Sequence, residues 1–479
     1  MCACLAVLVV AVAAAGWAYV NYRYGQIHKV KVPGLAAPGK GPGSSGRNGP
    51  PINVLLVGSN TRAGLRPDEA KAFGTPQEVG GARSDVTMVI RLDPRSGAVS
   101  LLSIPRDLFL PVPGTDQMQR VDAALNQGPG QLASVIQADL GIPINHYVEL
   151  NFDTFQSVVD VVGGVDMYFP TDVKDSYTGL AQGPGCRHLN GSQALEVVRA
   201  RHMYYRDRDG AWAYDGNGDL SRIRRNHEFL KAVGHRISSN GLDNPLTANQ
   251  LVAKLAPNLT IDSGFTLSDL FDVLRRFHSV DAATIPTLTL PVLEVNNYYL
   301  RGYNFGDVVF PSQPQDQQVI DQFLGVAAPP NANLPAAAIS VSVIDAIGNE
   351  RAASQATSQL QTLGFEATGP TTRLVPAPIV ETTITYSPGK LPAAQRLAAN
   401  VNGPVSLGPN STPLGTDLVL TLGNGATITQ PPPPAPAAGA PVAPPTTSAT
   451  TQETNVAGLP VTTVDNQPTW FDPTTCPSQ

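Results

Sequence analysis

Two apolar segments joined by a tight turn constrain the fold of this chain more than any other feature. Residues Val86–Leu92 and Ala98–Ile104 have the β-branched composition of strands, and the sequence DPRSG between them is typical of a hairpin turn. In an antiparallel pair the numbers of facing residues add to a constant, so a hairpin centred on Arg95 brings Asp85 opposite Arg106. The flanking sequences RSD and PRD therefore meet at one edge of a sheet. On this stretch alone, surface salt bridges explain the charges as well as a functional site does.

Strand and helix patterns alternate around this hairpin. A buried strand, INVLLVG, precedes it, and the helical pattern PGQLASVIQADLG, the strand NHYVELN and the helix DTFQSVVDVVGG follow it. This alternation predicts the α/β class: a layered α-β-α domain over residues 52–325 with a mostly buried central sheet. A second alternation over residues 338–425, after a linker at 326–337, predicts a small C-terminal α/β domain.

The two ends of the chain have a different composition. Residues 1–24 contain an uncharged stretch long enough to span the roughly 30 Å of a bilayer core, with Trp17 and Tyr19 as interfacial aromatics. We favour an uncleaved membrane anchor over a cleavable signal peptide, which places the rest of the chain outside the cytoplasm. Residues 25–51 are interpreted as a Gly/Pro linker, and residues 426–479 as a Pro-rich disordered tail.

Charge and cysteine usage narrow the class of protein further. The net charge of −6 offers no general attraction to nucleic acid, yet the segment from residue 199 to residue 225 holds seven arginines against four aspartates. Of the four cysteines, Cys2 and Cys4 lie in the predicted anchor. Cys186 and Cys476 remain, and the sequence leaves open whether they form a disulfide or two unpaired thiols.

The arginines are arranged in two local patterns. In VVRARH, Arg199 and Arg201 point the same way if the segment is extended, which suits a diphosphate. In DLSRIRRN, the helical spacing places Arg222, Arg225 and Asn226 on one face. Such a face is often simply solvated, but several arginines without enough acids to neutralise them favour a bound anion, because the guanidinium fork donates paired hydrogen bonds to phosphate. An aspartate among them, Asp85, is the expected position for Mg²⁺.

These segments resemble the LytR-CpsA-Psr family of cell-envelope enzymes. The resemblance rests on five sequences in order, NVLLVGSNTR, RSDVTMV, LLSIPRD, LNGSQALEVVRARH and DLSRIRRNHEFL. It implies a phosphotransferase that moves a glycopolymer from a polyprenyl-pyrophosphate carrier to peptidoglycan and forms a phosphodiester. The C-terminal domain looks like the family's LytR C-terminal domain. This pairing is typical of actinobacteria and suggests arabinogalactan as the glycan.

The resemblance also implies roles for individual residues. Asp85 would bind Mg²⁺, with Asn60 as a second, weaker ligand. The catalytic group would comprise Asp85, Arg106, Arg199 and Arg201. The pyrophosphate would be held by a further group, Arg62, Arg83, Asp107, Arg222, Arg225 and Asn226. Asn60 stands where the family usually has Asp, and Asn226 where it usually has Gln.

Three other functions remain open at this point. A pyrophosphatase would hand the same lipid phosphate to water, and a non-catalytic scaffold would only bind cell-wall glycan. A transcriptional attenuator would need a cytoplasmic DNA-reading element, and the sequence contains no such motif. The expected partners are therefore the lipid-linked glycan donor, the peptidoglycan acceptor and the membrane, with no nucleic acid.

Overall fold

The structure is a computed structural model of the 479-residue chain. It describes residues 18–37, 49–59, 83–115, 117–216, 218–240, 249–250, 253–254, 256–277, 280, 285–300, 302–312, 315–325, 334–346, 348–372, 382–387, 390–402, 405–409, 414–423, 426–429 and 470–476. Among these residues, no helix is both long and apolar enough to cross a membrane. Residues 1–17, most of the predicted anchor, lie outside this set, and residues 18–25 are helical.

The strands and helices follow one another along most of the described chain. The strands are β1 His28–Val30, β2 Ile52–Ser59, β3 Ser84–Leu92, β4 Val99–Ile104, β5 Phe109–Pro111, β6 Met118–Arg120, β7 His146–Leu150, β8 Val165–Phe169, β9 Val173–Asp175, β10 Leu180–Gln182, β11 Gly185–Leu189, β12 Tyr204–Arg206, β13 Trp212–Tyr214, β14 Leu259–Asp262, β15 Thr287–Thr289, β16 Val292–Leu300, β17 Tyr303–Pro311, β18 Ser340–Asp345, β19 Glu366–Thr372, β20 Thr382–Tyr386, β21 Val401–Asn402, β22 Val405–Pro409, β23 Leu418–Thr421, β24 Thr427–Ile428 and β25 Thr474–Thr475. The helices are α1 Val121–Ala124, α2 Pro129–Leu140, α3 Phe152–Val161, α4 Gly191–Arg199, α5 Gly218–Asn240, α6 Leu267–Phe277, α7 Gln315–Leu324, α8 Glu350–Thr362 and α9 Leu391–Ala398.

A seven-stranded mixed sheet forms the centre of the larger domain. Its strand order is β1-β14-β7-β2-β3-β4-β15, with parallel pairs at both edges and antiparallel β2-β3-β4 in the middle. Fully buried Leu55, Val89 and Leu102 from the three middle strands pack with Leu132 and Ile136 of α2. The predicted α/β class, with a buried central sheet, is confirmed.

The hairpin has the register that the sequence predicts. Strands β3 and β4 are antiparallel, and Leu92 pairs with Val99 while Thr87 pairs with Ile104. The same constant sum continues past the last pair to Asp85 and Arg106. The charged ends of the hairpin therefore meet at one edge of the sheet, as expected from the position of the turn.

The predicted linker over residues 25–51 is wrong at its start. Strand β1 pairs in parallel with β14, and Val32 is buried in the core of the larger domain. A three-residue strand is too short to show a hydrophobic pattern, so it could not be predicted from the sequence. The backbone of β1 pairs with that of β14, which lies more than 200 residues later in the chain.

The C-terminal domain has its own sheet and core. Its strand order is β19-β18-β23-β20-β22, and α8 and α9 supply apolar side chains to the core, including Leu360 and Leu397. The hydroxyl of Tyr386 donates a hydrogen bond to the carbonyl of Ala138 on α2, which links the two domains. Strand β24 continues this domain to Ile428, three residues beyond the predicted boundary at 425.

The end of the tail is part of the larger domain, so the prediction of disorder over residues 426–479 is wrong for residues 470–476. Strand β25 pairs with β8, and Phe471 is buried against Tyr205 with their ring centroids 3.9 Å apart. Cys186 and Cys476 form a disulfide, which resolves the alternative that the sequence left open. The composition of this segment predicts disorder. The residues that order it lie far away in the chain, so composition alone does not reveal them.

Candidate active site

The edge of the hairpin carries a buried ion pair. Arg106 Nη1 lies 2.7 Å from Asp85 Oδ1, and Arg106 Nε lies 3.5 Å from Asp107 Oδ2. Both members of the first pair are mostly buried, with side chains 14% and 15% exposed. A buried arginine and aspartate held in this way are ordered by the sheet rather than by solvent. The interpretation of these charges as surface salt bridges is therefore wrong for Asp85 and Arg106.

Helix α5 and the segment after α4 bring two further arginines to this edge. Arg222 Nη2 lies 2.6 Å from Asp219 Oδ1 and donates to the backbone carbonyl of Asp85 at 2.5 Å. Arg201 lies 3.4 Å from Asp107 and 3.6 Å from Asp219. Three arginines from three separate parts of the chain thus share three aspartates.

The pKa values of two arginines in this cluster, Arg106 and Arg201, are shifted in opposite directions. Burial alone would lower the pKa of Arg106, but Asp107 and Asp85 outweigh burial and raise it. The pKa of Arg201 is instead lowered, first by burial and then by the neighbouring charge of Arg106. Nε of Arg201 donates no hydrogen bond within the described residues. An anion beside Arg201 would relieve both effects.

An apolar cleft opens from the arginine cluster between the central sheet and helices α3, α4 and α5. The space inside this cleft is about 700 Å³ when the solvent at its open mouth is included. Its polar end contains Asp85, Arg199, Arg222 and Asn226. The remaining lining residues are Leu56, Gly58, Val86, Met88, Leu150, Asn151, Phe152, Phe155, Leu195, Val198, Phe229 and Leu230.

Arg199 and Arg201 occupy different environments. Arg199 is the last residue of α4, and its guanidinium lies 4.2 Å from the ring centroid of Phe152 at the cleft. Arg201 follows in a non-helical segment and contacts Asp107 and Asp219. The prediction that both point the same way from one extended segment is therefore wrong, because Arg199 belongs to the helix and Arg201 does not. Both arginines still border the same region.

Two predicted phosphate ligands have other surroundings. Arg83 lies beside the buried Asp122, at 3.9 Å, with a side chain 41% exposed. Arg225 is fully buried and contacts Asp215 at 3.1 Å and Asp472 at 3.4 Å, while its Nη2 donates to the carbonyl of Ala200 at 2.7 Å. It does not line the cleft. The helical spacing correctly grouped Arg222 with Asn226, but Arg225 turns away towards the tail.

The structure describes only one of the two predicted metal ligands, Asp85. Asn60 and Arg62 lie outside the described residues. Asp85 faces the cleft and offers one carboxylate, but the described part of the chain contains no cluster of three or more acidic, histidine or cysteine side chains able to hold a metal ion. One carboxylate suits Mg²⁺ only if phosphate and water oxygens complete its octahedron.

Some residues of this site were not predicted from the sequence. Asp219 contacts Arg222 and Arg201, and its position three residues before Arg222 on a helix is a signal that could have found it. Asp122 is fully buried next to the cluster, and burial raises its pKa although Arg106 opposes the shift. Nothing local in the sequence marks Asp122 or Asp472 as a partner of these arginines.

The cleft joins an apolar slot to clustered arginines, a combination whose chemistry suits an amphiphilic anion. Comparison with known proteins identifies the class: the profile of the LytR_cpsA_psr family matches residues 24–321. The chain therefore belongs to the LytR-CpsA-Psr family. A second profile, described as LytR cell envelope-related transcriptional attenuator, matches residues 338–425.

Individual relatives agree with this assignment. The chain is 32% identical over 248 residues to the probable cell wall biosynthesis protein LcpB of Corynebacterium glutamicum, a match that covers 51% of this chain and only 56% of LcpB. It is 30% identical over 236 residues to the polyisoprenyl-teichoic acid–peptidoglycan teichoic acid transferase TagU of Bacillus anthracis, covering 48% of this chain and 68% of TagU. Among solved structures, the LytR-Csp2A-Psr enzyme from Actinomyces oris has 25% identity and a TM-score of 0.47, with 62% of this chain and 96% of that chain covered.

Proposed function

We propose that this protein transfers a glycopolymer from a polyprenyl-pyrophosphate carrier to peptidoglycan. The observation that carries the proposal is the continuity of the apolar cleft with the arginine cluster. A polyprenyl chain needs an apolar slot, for which Phe152, Phe155 and Phe229 provide ring surface. A pyrophosphate needs fixed cations at the end of that slot, where Arg199 and Arg222 lie. The name of TagU describes this class of reaction for a relative.

The proposed reaction is an in-line displacement at phosphorus. A sugar hydroxyl of peptidoglycan attacks the phosphorus next to the glycan and forms the new O–P bond. The bond to the bridging oxygen breaks, and the lipid monophosphate leaves with its electron pair and takes up the proton that the hydroxyl loses. Arg106, Arg201 and Arg222 are already oriented by aspartates, so they can stabilise the developing phosphate charge without first reorganising.

We further propose Mg²⁺ at Asp85. Mg²⁺ bound there would neutralise pyrophosphate charge, with phosphate oxygens supplying most of its ligands. The described residues include no group of three or more acidic, histidine or cysteine side chains that could hold the ion, and Oδ1 of Asp85 already accepts a hydrogen bond from Arg106 at 2.7 Å. Metal binding in the empty protein is therefore expected to be weak.

We also propose the glycan and the location of the protein. Arabinogalactan is proposed because the two-domain organisation resembles that of actinobacterial members, and LcpB comes from such an organism. A membrane-anchored, extracytoplasmic position is proposed because the acceptor is in the cell wall. The disulfide between Cys186 and Cys476 is compatible with an oxidising compartment.

The test is a transfer assay with the purified full chain in detergent micelles. A polyprenyl-pyrophosphate glycan is added with and without peptidoglycan, and both covalent attachment of glycan and release of polyprenyl monophosphate are measured. Attachment through a phosphodiester that depends on peptidoglycan supports transfer. Equal release of phosphorylated products without peptidoglycan would instead identify a pyrophosphatase, which could use the same arginines with water as the nucleophile.

A further inference from the structure

The hairpin formed by β12 and β13 exposes an aromatic face beside the arginine cluster. In this antiparallel pair Tyr204 faces Tyr214 and Arg206 faces Trp212, and on the other side of β12 Tyr204 faces Lys174 of β9. The three aromatic side chains are 41%, 48% and 37% exposed, in the order Tyr204, Tyr214 and Trp212. Alternate residues point inward, since Tyr205 stacks on Phe471. We call the exposed Lys174, Tyr204, Trp212 and Tyr214, together with the half-buried Arg206, the aromatic platform.

The cations of the aromatic platform are ordered by one ring. Lys174 Nζ lies 4.0 Å from the ring centroid of Trp212, and the guanidinium of Arg206 lies 4.5 Å from the same ring. The rings of Tyr204 and Tyr214 lie next to each other, with centroids 5.1 Å apart. Cations held in place before a ligand arrives lose less conformational freedom on binding. The platform therefore combines two neighbouring phenol rings with two fixed positive charges.

One end of this hairpin lies close to Arg201 of the candidate active site, and its other end lies next to the buried Arg225. Tyr204 follows Arg201 by three residues, and Tyr214 directly precedes Asp215, which contacts the buried Arg225. Arg201 is close enough to Tyr214 to act on its ionisation: partial burial and then Asp215 raise the pKa of Tyr214, and Arg201 opposes them. The platform is thus adjacent to the proposed reacting phosphate, whereas the apolar cleft borders Arg199.

We propose that the aromatic platform binds the glycan strand of the peptidoglycan acceptor and presents its hydroxyl to the phosphate beside Arg201. Apolar faces of sugar rings pack on aromatic rings, and a flat face that spans three strands can accommodate a polymer better than a pocket can. Peptidoglycan carries free carboxylates on its peptides, which complement Lys174 and Arg206, whereas neutral arabinogalactan carries none. This inference rests on the proposed function for the identity of the acceptor.

The proposal is tested by binding alone, without donor. The full chain in nonionic detergent is sedimented with insoluble peptidoglycan, and the double substitution Tyr204→Ala/Tyr214→Ala is expected to weaken binding by about tenfold, since exposed aromatic anchors dominate such surfaces. Lys174→Gln is expected to weaken it less and to reduce its dependence on salt. Tyr303→Ala is the matched control, because Tyr303 is 74% exposed in a different sheet, on β17.

The outcomes separate this proposal from the transfer reaction. Loss of binding in the double variant, with Tyr303→Ala and the melting temperature unchanged, supports the platform even if no transfer is ever detected. Wild-type binding in the double variant overturns it. A competition with soluble ligands identifies the source: displacement by peptidoglycan fragments supports the proposal, and displacement by free arabinogalactan but not by these fragments overturns it.

Discussion

Helix α5 contributes arginines to two groups that have the same chemistry but different surroundings. Arg222 joins Arg106 and Arg201 at the end of the apolar cleft, in contact with aspartates that they share. Arg224 and Arg225, two and three residues later, are buried against Asp472 and Asp215. The first group lies at a cavity that a ligand can enter. The second group is enclosed by the protein's own acids.

The difference shows that access to a cavity, and not the presence of arginines, separates a ligand site from a structural ion pair. Asp472 comes from the end of the chain, where β25 and the Cys186–Cys476 disulfide hold it against α5. Burial raises the pKa of Asp472, against the lowering effects of Arg225 and Arg224. We call Arg224, Arg225, Asp215 and Asp472 the enclosed cluster. It orders the active site indirectly, because Arg225 also holds the carbonyl of Ala200, the residue before Arg201.

The largest expected effect comes from opening the enclosed cluster. Arg225→Ala leaves Asp215 and Asp472 without a cation that is fully buried in the wild type, and breaking such a pair costs about 3–5 kcal/mol. Chemical denaturation monitored by circular dichroism should show this loss of stability. If Arg225→Ala keeps wild-type stability and loses only transfer, Arg225 belongs with the phosphate ligands, as the helical spacing predicted.

Arg201→Ala is expected to have the converse effect. Its side chain is 32% exposed, so the fold should survive, while turnover in the transfer assay should fall by about 10² to 10³ because a positioned donor to the phosphate is lost. Arg106→Ala should lose turnover similarly, with more loss of stability because Asp85 is left buried. Arg95→Ala, at the exposed turn of the same hairpin, is the control and should match wild type. Near-full activity in both site variants would refute the assignment.

Removing the disulfide should have an intermediate effect on the enclosed cluster. Cys476→Ser frees the end of the tail, and loss of a native disulfide typically costs about 2–4 kcal/mol. The melting temperature should fall, and turnover should decrease less than in Arg201→Ala. Cys186→Ser should give the same result because it removes the same bond. A wild-type melting temperature in both variants would show that the tail does not support the cluster.

The sequence predicted what depends on local spacing. The centre of the hairpin placed Asp85 opposite Arg106, and the helical repeat grouped Arg222 with Asn226. It failed where a partner comes from a distant segment: β1 pairs with β14, and Asp472 neutralises Arg225 across 247 residues. Such contacts are selected by packing of the whole domain, which leaves no periodic pattern in the sequence. Composition also concealed residues 470–476 within a Pro-rich tail.

The smallest expected effect concerns Asp139, a buried acid that pairs with no arginine within the described part of the chain. Asp139 on α2 is buried near the C-terminal domain, and neither of its carboxyl oxygens accepts a hydrogen bond within the described residues. Burial raises the pKa of Asp139 well above its usual range. Below the pKa of the unfolded chain, about 3.9, both states carry the proton and nothing is lost. As the pH rises towards the higher pKa of the folded state, only the unfolded state releases the proton, so stability falls.

Asp139→Asn should therefore reduce the decline of melting temperature between acidic and neutral pH, whereas Asp209→Asn, at an exposed turn, should leave that decline unchanged. Equal pH dependence in wild type and Asp139→Asn would mean that Asp139 has a partner comparable to the arginines beside Asp472, and the contrast between the two buried acids would not hold.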